Sequence, residues 1–228
     1  MKKLVLILTV MVSFSITAQT KTELIKHFET YYQQMKKQGD VQGVINAMTH
    51  LDVLQPTQAR RDTLAYIYVS EGRNREALNT IGIEKNASDS DINTEVKAIA
   101  LKSLNQPKLA LEHYEVLFQR KANPLLAYEI AELKIQLNNL AGAKTSVDYG
   151  LANVKDHMKR SFYETQTPYQ VSLKAALTYL KALIIFNENQ ETNLDAAIAL
   201  LDEALTMDSN FNMAQISKDA LATRKPKE

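Results

Sequence analysis

The chain contains no cysteine and no tryptophan. The first absence removes disulfides, thiolate metal sites, a cysteine nucleophile and the acylation site of a bacterial lipoprotein in one stroke. The second removes the indole platform on which sugar rings most readily stack. Glycine and proline are sparse, at six and five in 228 residues. With abundant Ala, Leu, Lys, Glu and Gln, that scarcity favours an all-helical chain. Neither sign of charge dominates: 27 basic residues stand against 26 acidic ones. Interspersed near-neutrality argues against a nucleic-acid surface, which needs a basic face.

Long apolar runs are also missing, with one exception. Lys2-Lys3 precedes the run Leu4 to Ile16, and Thr17-Ala18-Gln19 follows it. A charged start, a short apolar stretch and a small residue at the cut are the marks of a secretory signal peptide. The run falls short of the ~20 residues that span a bilayer. Residues 1–18 are therefore expected to be removed after Ala18, although Ile16 occupies a place where a small side chain is preferred. A periplasmic or secreted protein that is not a lipoprotein is expected, with a single domain over residues 19–228. Losing Lys2 and Lys3 leaves 25 basic against 26 acidic residues, a net charge near −1.

Catalytic signatures are equally scarce. His27, His50, His113 and His157 are scattered without the spacing of a metal site. Glu23 and His27 lie one helical turn apart, but no third ligand accompanies them. Ser-x-x-Lys, Gly-x-Ser-x-Gly and glycine-rich phosphate loops do not occur. Asp202 and Glu203 are adjacent, so on a helix they point about 100° apart and cannot flank one bond. The expectation is a non-enzymatic protein with no cofactor and no metal.

What the sequence does contain is a repeat. Gly39, Gly72, Asn105 and Asn138 stand 33 residues apart, each at a polar break between two apolar-periodic segments. Five residues after each break come Val44, Ala77, Ala110 and Ala143; seven before come Tyr32, Ala65, Ala98 and Ala131. Small residues at fixed places in both halves let paired helices approach and stack on their neighbours.

Start and stop signals place the helices at about 22–38, 41–54, 57–71, 73–83 and 92–104, then one opening at Pro107. Further helices follow at about 124–137, 140–155, 168–186, 193–207 and 211–224. Thr20-Lys-Thr-Glu23 has capping-box spacing, Ser90 or Asp91 caps the fifth helix, and Pro107 and Pro124 sit at first helical positions. The regular spacing fails between Ala131 and Ala182, which places an insertion at 156–167. Ala197 marks the partner helix of the last pair. The final helix, polar on its outer side, closes the stack.

The residues Leu64-Ala65, Tyr68, Gly72 and Ala77-Leu78 resemble a tetratricopeptide repeat. The resemblance extends through Ala98, Leu101, Ala110, Tyr114 and Leu117, then Ala131, Ala143 and Val147, and covers about 22–224. The period is one short of the usual 34, and the family glycine is replaced by Asn105 and Asn138. The ankyrin signature Thr-Pro-Leu-His is absent, and turn signals every ~15 residues exclude a coiled coil. The resemblance implies an all-α, right-handed superhelical stack of antiparallel helix hairpins, about 11 helices after the signal peptide.

It also implies a concave face that binds an extended peptide or a partner helix. The family's groove positions fall on Lys26, Glu29, Gln33 and Lys36 of the first repeat and on Asp62, Tyr66 and Ser70 of the second. In the third and fourth they fall on Glu95, Ile99, Lys102, Tyr128, Glu132 and Ile135. The alternative is that these positions are the solvated flank of each helix, with Tyr66 and Tyr128 half-buried. The carboxylate clamp of one subclass is missing, because Glu29, Gln33, Asp62 and Tyr66 occupy its places. A second candidate surface is the insertion, where Lys155, Lys159 and Arg160 precede Phe162, Tyr163 and Tyr169. The alternative is an extended helix whose aromatics pack against the long helix at 168–186. The resulting expectation is an exported scaffold for a peptide or protein partner of unknown identity. The rival readings are a glycan- or small-ligand-binding envelope protein, and a helical appendage that stabilises a partner enzyme or itself by homodimerisation.

Overall fold

The computed structural model describes residues 20–224. The expected signal peptide and its cleavage point lie outside the described residues. Helices α1 (Lys21–Gln38), α2 (Val41–Leu54), α3 (Gln58–Ser70), α4 (Asn74–Ile81), α5 (Asp91–Ser103) and α6 (Pro107–Arg120) follow one another in pairs. Then come α7 (Pro124–Gln136) and α8 (Leu140–Asn153), a two-stranded hairpin of β1 (Lys159–Phe162) and β2 (Tyr169–Ser172), and α9 (Leu173–Glu188), α10 (Leu194–Met207) and α11 (Asn212–Ala222).

The 33-residue spacing has a backbone cause. Gly39, Gly72, Asn105 and Asn138 all sit in the left-handed region, with φ of 72°, 71°, 56° and 57°. Each ends the first helix of a pair in the same way. The N–H of Asp40, Arg73, Gln106 and Asn139 reaches back to the carbonyl of Met35, Tyr68, Leu101 and Lys134. The preceding N–H bonds to Lys36, Val69, Lys102 and Ile135. This pair of hydrogen bonds satisfies the last carbonyls and reverses the chain. Only glycine, or asparagine at small cost, adopts that conformation readily.

Helix starts follow their side chains. Thr20 and Glu23 form a reciprocal capping box. Asp40, Thr57, Ser90, Asn123, Asn139 and Ser172 each accept a backbone N–H from the first turn that follows. Between the paired helices the small positions are sealed: Ala65, Ala77, Ala98, Ala110, Ala131, Ala143 and Ala197 have no exposed surface, and Ala182 is buried with them. The first pair departs from this register. Tyr32 and Val44 are only half-buried, and the close approach falls to Gly43 and Ala47. A Cβ on Gly43 would stand 2.5 Å from the Met35 side chain.

The core is a chain of clusters handed from pair to pair. The largest spans α7 to α11 and takes in Tyr128, Val171, Leu177, Leu201 and Phe211. Two corrections fall at this end. The residues from Pro168 to Ser172 do not begin the long helix; most of them form β2. Phe211 precedes α11 instead of opening it, and its buried ring packs 4.9 Å from Phe162 and 5.3 Å from Tyr179.

Candidate functional site

The first helix of each pair lines one side of the stack, and two grooves open there. Lys26, Glu29 and Gln33 of α1 face Arg60 and Thr63 of α3 across a cleft of about 670 Å3. Lys36 is exposed in the last turn of α1, outside that cleft. Glu95, Ile99 and Lys102 of α5 face Leu125 and Glu129 of α7 across a second groove, also about 670 Å3. Arg160 and Tyr163 from the hairpin close its far wall. Glu132 and Ile135 lie beyond that wall, in a hollow of about 300 Å3 floored by Tyr128, Tyr179 and Leu180.

The remaining expected residues divide. Tyr66 is 53% exposed, and beside it the Ser70 hydroxyl donates to the Tyr66 carbonyl at 2.9 Å. Tyr128 is only 1% exposed, far more buried than the solvated-flank alternative has it. The Arg160 guanidinium lies 4.5 Å from its ring centroid and covers it. Asp62 is likewise a core residue, 5% exposed. It accepts hydrogen bonds from Ser90 Oγ at 2.6 Å, Asn93 Nδ2 at 2.7 Å and Gln58 Nε2 at 2.8 Å. Burial alone would raise the Asp62 carboxyl, but these bonds and nearby Lys97 hold its pKa below the ordinary value.

Asp62 belongs to a polar joint that ties the α4–α5 connector to the stack. Buried Lys97 donates to the Glu84 carbonyl and to Asp89 Oδ2, both at 2.7 Å. His113 of α6 donates from Nε2 to the Ile83 carbonyl at 3.0 Å, and its buried Nδ1 has no hydrogen-bond partner among the described residues. Desolvation lowers the pKa of that imidazole, against the raising effect of the Ile83 bond. The joint is structural: its Asp62, Asn93, Lys97 and His113 side chains are all buried.

The groove between α5 and α7 is organised by a residue the sequence did not single out. Glu129 accepts from Arg160 on one oxygen and from Lys102 on the other, while Lys102 also reaches Glu132. Burial would lower the Arg160 pKa, but Glu129, Tyr128 and Glu132 outweigh it and raise it further. The hydroxyls of Tyr114 and Tyr128 are pushed up, first by burial and then by these carboxylates. The Arg160 shift keeps its guanidinium charged, while the Tyr114 and Tyr128 shifts keep those hydroxyls protonated and uncharged. The ion-paired Glu129, Lys102 and Arg160 lie beside apolar surface, with Leu125 43% and Tyr163 74% exposed.

The insertion is not an extended helix but a hairpin, whose residues separate by strand alternation. Phe162 and Tyr169 are cross-strand partners, stacked at 5.7 Å on the inner face. The Tyr169 hydroxyl donates to Glu164 at 2.5 Å and accepts the Met213 N–H at 3.2 Å. Burial, with the Glu164 bond next, pushes the Tyr169 pKa up to about 12. Phe162, Tyr169 and Arg160 thus fasten the hairpin down, while Lys155, Lys159 and Tyr163 stay exposed.

The Glu23–His27 pair has other duties. The Glu23 carboxylate accepts the Thr20 N–H at 2.8 Å, and the His27 ring packs edge-on against Phe28 at 5.2 Å. Among the described residues no three His, Asp or Glu gather as a metal site, and no helix is long and apolar enough to cross a membrane.

No protein-family model matches the chain, and no curated protein matches its sequence. Solved structures do. A tetratricopeptide repeat protein from Parabacteroides merdae superposes with a TM-score of 0.65 at 15% identity, covering 88% of this chain and 73% of that one. YrrB, described as a TPR protein with an unusual peptide-binding site, superposes with a TM-score of 0.64 at 15% identity, covering 84% of this chain and 90% of its own. Helix pairs closed by left-handed turns, alanine-sealed junctions and these superpositions together give the chain the all-α solenoid fold of tetratricopeptide repeat proteins.

Proposed function

We propose that this chain is an exported, non-enzymatic scaffold that holds a peptide segment or protein partner in the groove between α5, α7 and the hairpin. One observation carries the reading. Ile99, Leu125 and Tyr163 offer apolar and aromatic surface beside a charge network pinned by Glu129. An aromatic anchor next to prearranged charges gives contact area at low entropic cost and fixes orientation. The fold supports the same reading, since stacked repeats create extended concave binding surfaces. YrrB, of like fold, is a peptide binder by its description.

The test is panning a random peptide library on the full chain, followed by titration of the selected peptide into Ile99→Asp and Tyr163→Ala variants. Both substitutions should weaken binding at least ~tenfold while the fold survives. Retention of every selected peptide by both variants refutes the groove as the working surface. Export is tested separately by sequencing the mature N-terminus from the native host, where Gln19 is expected as the first residue.

A further inference from the structure

The two edges of the hairpin are unlike. On β2, the Ser172 N–H donates to Asp208 Oδ2 at 2.9 Å, and the Gln170 carbonyl accepts from Asn210 Nδ2 at 3.5 Å. Ser172 and Gln170 therefore turn their backbone groups away from β1, into the α10–α11 turn. Ser172 pairs with Lys159 and Gln170 with Ser161. In an antiparallel ladder, hydrogen-bonded and non-hydrogen-bonded pairs alternate. These two are the non-bonded pairs, consistent with the Leu173 N–H closing on the Met158 carbonyl at 2.8 Å one step beyond.

Lys159 and Ser161 consequently turn their N–H and C=O groups to the outer edge of β1. Among the described residues nothing bonds to them there. That edge is not remote surface. Arg160 and Tyr163, one within β1 and one just past its end, form the wall of the groove above α5 and α7. An open strand edge is a template for another extended chain.

We infer that the groove takes its ligand as an added β-strand: an extended polypeptide segment, carrying a basic residue beside apolar ones, pairs with the outer edge of β1. This rests on the groove reading above and specifies its mode. Alternate side chains of the added strand share the inner face with Arg160 and Phe162, and so descend toward Ile99 and Leu125. The charge balance sets the basic residue. Within the groove Lys102 and Arg160 are both ion-paired to Glu129, and Lys102 also to Glu132 beyond the wall, whereas groove-lining Glu95 makes no ion pair or hydrogen bond among the described residues.

Ser161→Pro is the discriminating variant. Proline removes an N–H that points away from the β1–β2 ladder, a position where strands tolerate it. Ser161→Ala controls for the lost side-chain contact from Gln170 Nε2. The probe is the best binder selected from a random peptide library, titrated into each variant with melting temperature measured alongside. Ser161→Pro should weaken it roughly tenfold, the scale of lost backbone bonds to an added strand. Ser161→Ala should bind as wild type. Methylating the probe's backbone nitrogens one at a time should weaken binding at every second position, which decides the question even if Ser161→Pro unfolds the hairpin. Wild-type binding by Ser161→Pro, with loss in Ile99→Asp, overturns strand addition and leaves the groove reading standing. A probe insensitive to both substitutions overturns the two together.

Discussion

The left-handed turns make a sharp test, because two chemistries occupy equivalent backbone positions. Gly72 has φ of 71°, and a Cβ built on it meets nothing within 4 Å. The cost of Gly72→Ala is therefore conformational, with no clash added: about 1–2 kcal/mol for a Cβ in the left-handed region. Reduced freedom of the unfolded chain offsets ~0.4–1 kcal/mol of this, leaving a net loss near 1 kcal/mol. For a chain of this length that lowers Tm by about 2–4 °C. Asn138, with φ of 57°, already carries the strain in milder form. Asn138→Gly relieves it while loosening the unfolded chain, so Tm should move by less than ~1 °C. Asn105→Gly should fall slightly below Asn138→Gly, since Asn105 Oδ1 accepts a bond from Gln136 at 3.1 Å. Calorimetric melts of the three variants beside Asn79→Ala, an exposed helical control, read the differences directly. A Gly72→Ala protein that melts with the control, or an Asn138→Gly protein that loses as much as Gly72→Ala, would refute the account of the 33-residue spacing.

Three further outcomes are expected. Ala98→Leu forces a larger side chain into a fully sealed junction and should cost about 1–3 kcal/mol in urea titrations. Glu129→Ala removes the partner of Arg160 and one of two partners of Lys102; it should cost about 1–3 kcal/mol and release the hairpin to proteolysis before the rest of the stack. His113 is held neutral, its pKa below the ordinary 6.5, so the unfolded chain takes up the proton first. The stability it contributes is full above pH ~6.5 and is lost as pH falls through the lowered value. His113→Gln retains a donor for the Ile83 carbonyl and should flatten that part of a stability–pH profile.

Much of the fold was legible because one steric demand recurs. A left-handed helix end selects glycine or asparagine, and a tight junction selects alanine, so both leave marks at fixed spacing. The hairpin left none. Lys159-Arg-Ser-Phe and Tyr169-Gln-Val-Ser are each four residues long, too short for alternation to stand out beside a proline and a long apolar helix. The site was half legible for a related reason. Glu95, Ile99 and Lys102, taken from the family's groove positions, line one groove together, while Glu132 faces the hollow beyond it. Tyr128 and Asp62 hold such positions too, but Arg160 of the hairpin roofs the tyrosine and the 84–90 connector folds over the aspartate. Glu129 was missed because its role is set by Arg160, 31 residues on, in a segment outside the repeat.

Amide NMR shift mapping with a library-selected peptide tests the central claim most directly. The account predicts perturbations concentrated on α5, α7 and β1, strongest around Ile99, Leu125, Ser161 and Tyr163. Shifts confined to the second helices of the pairs, α2, α4, α6 and α8, would contradict it.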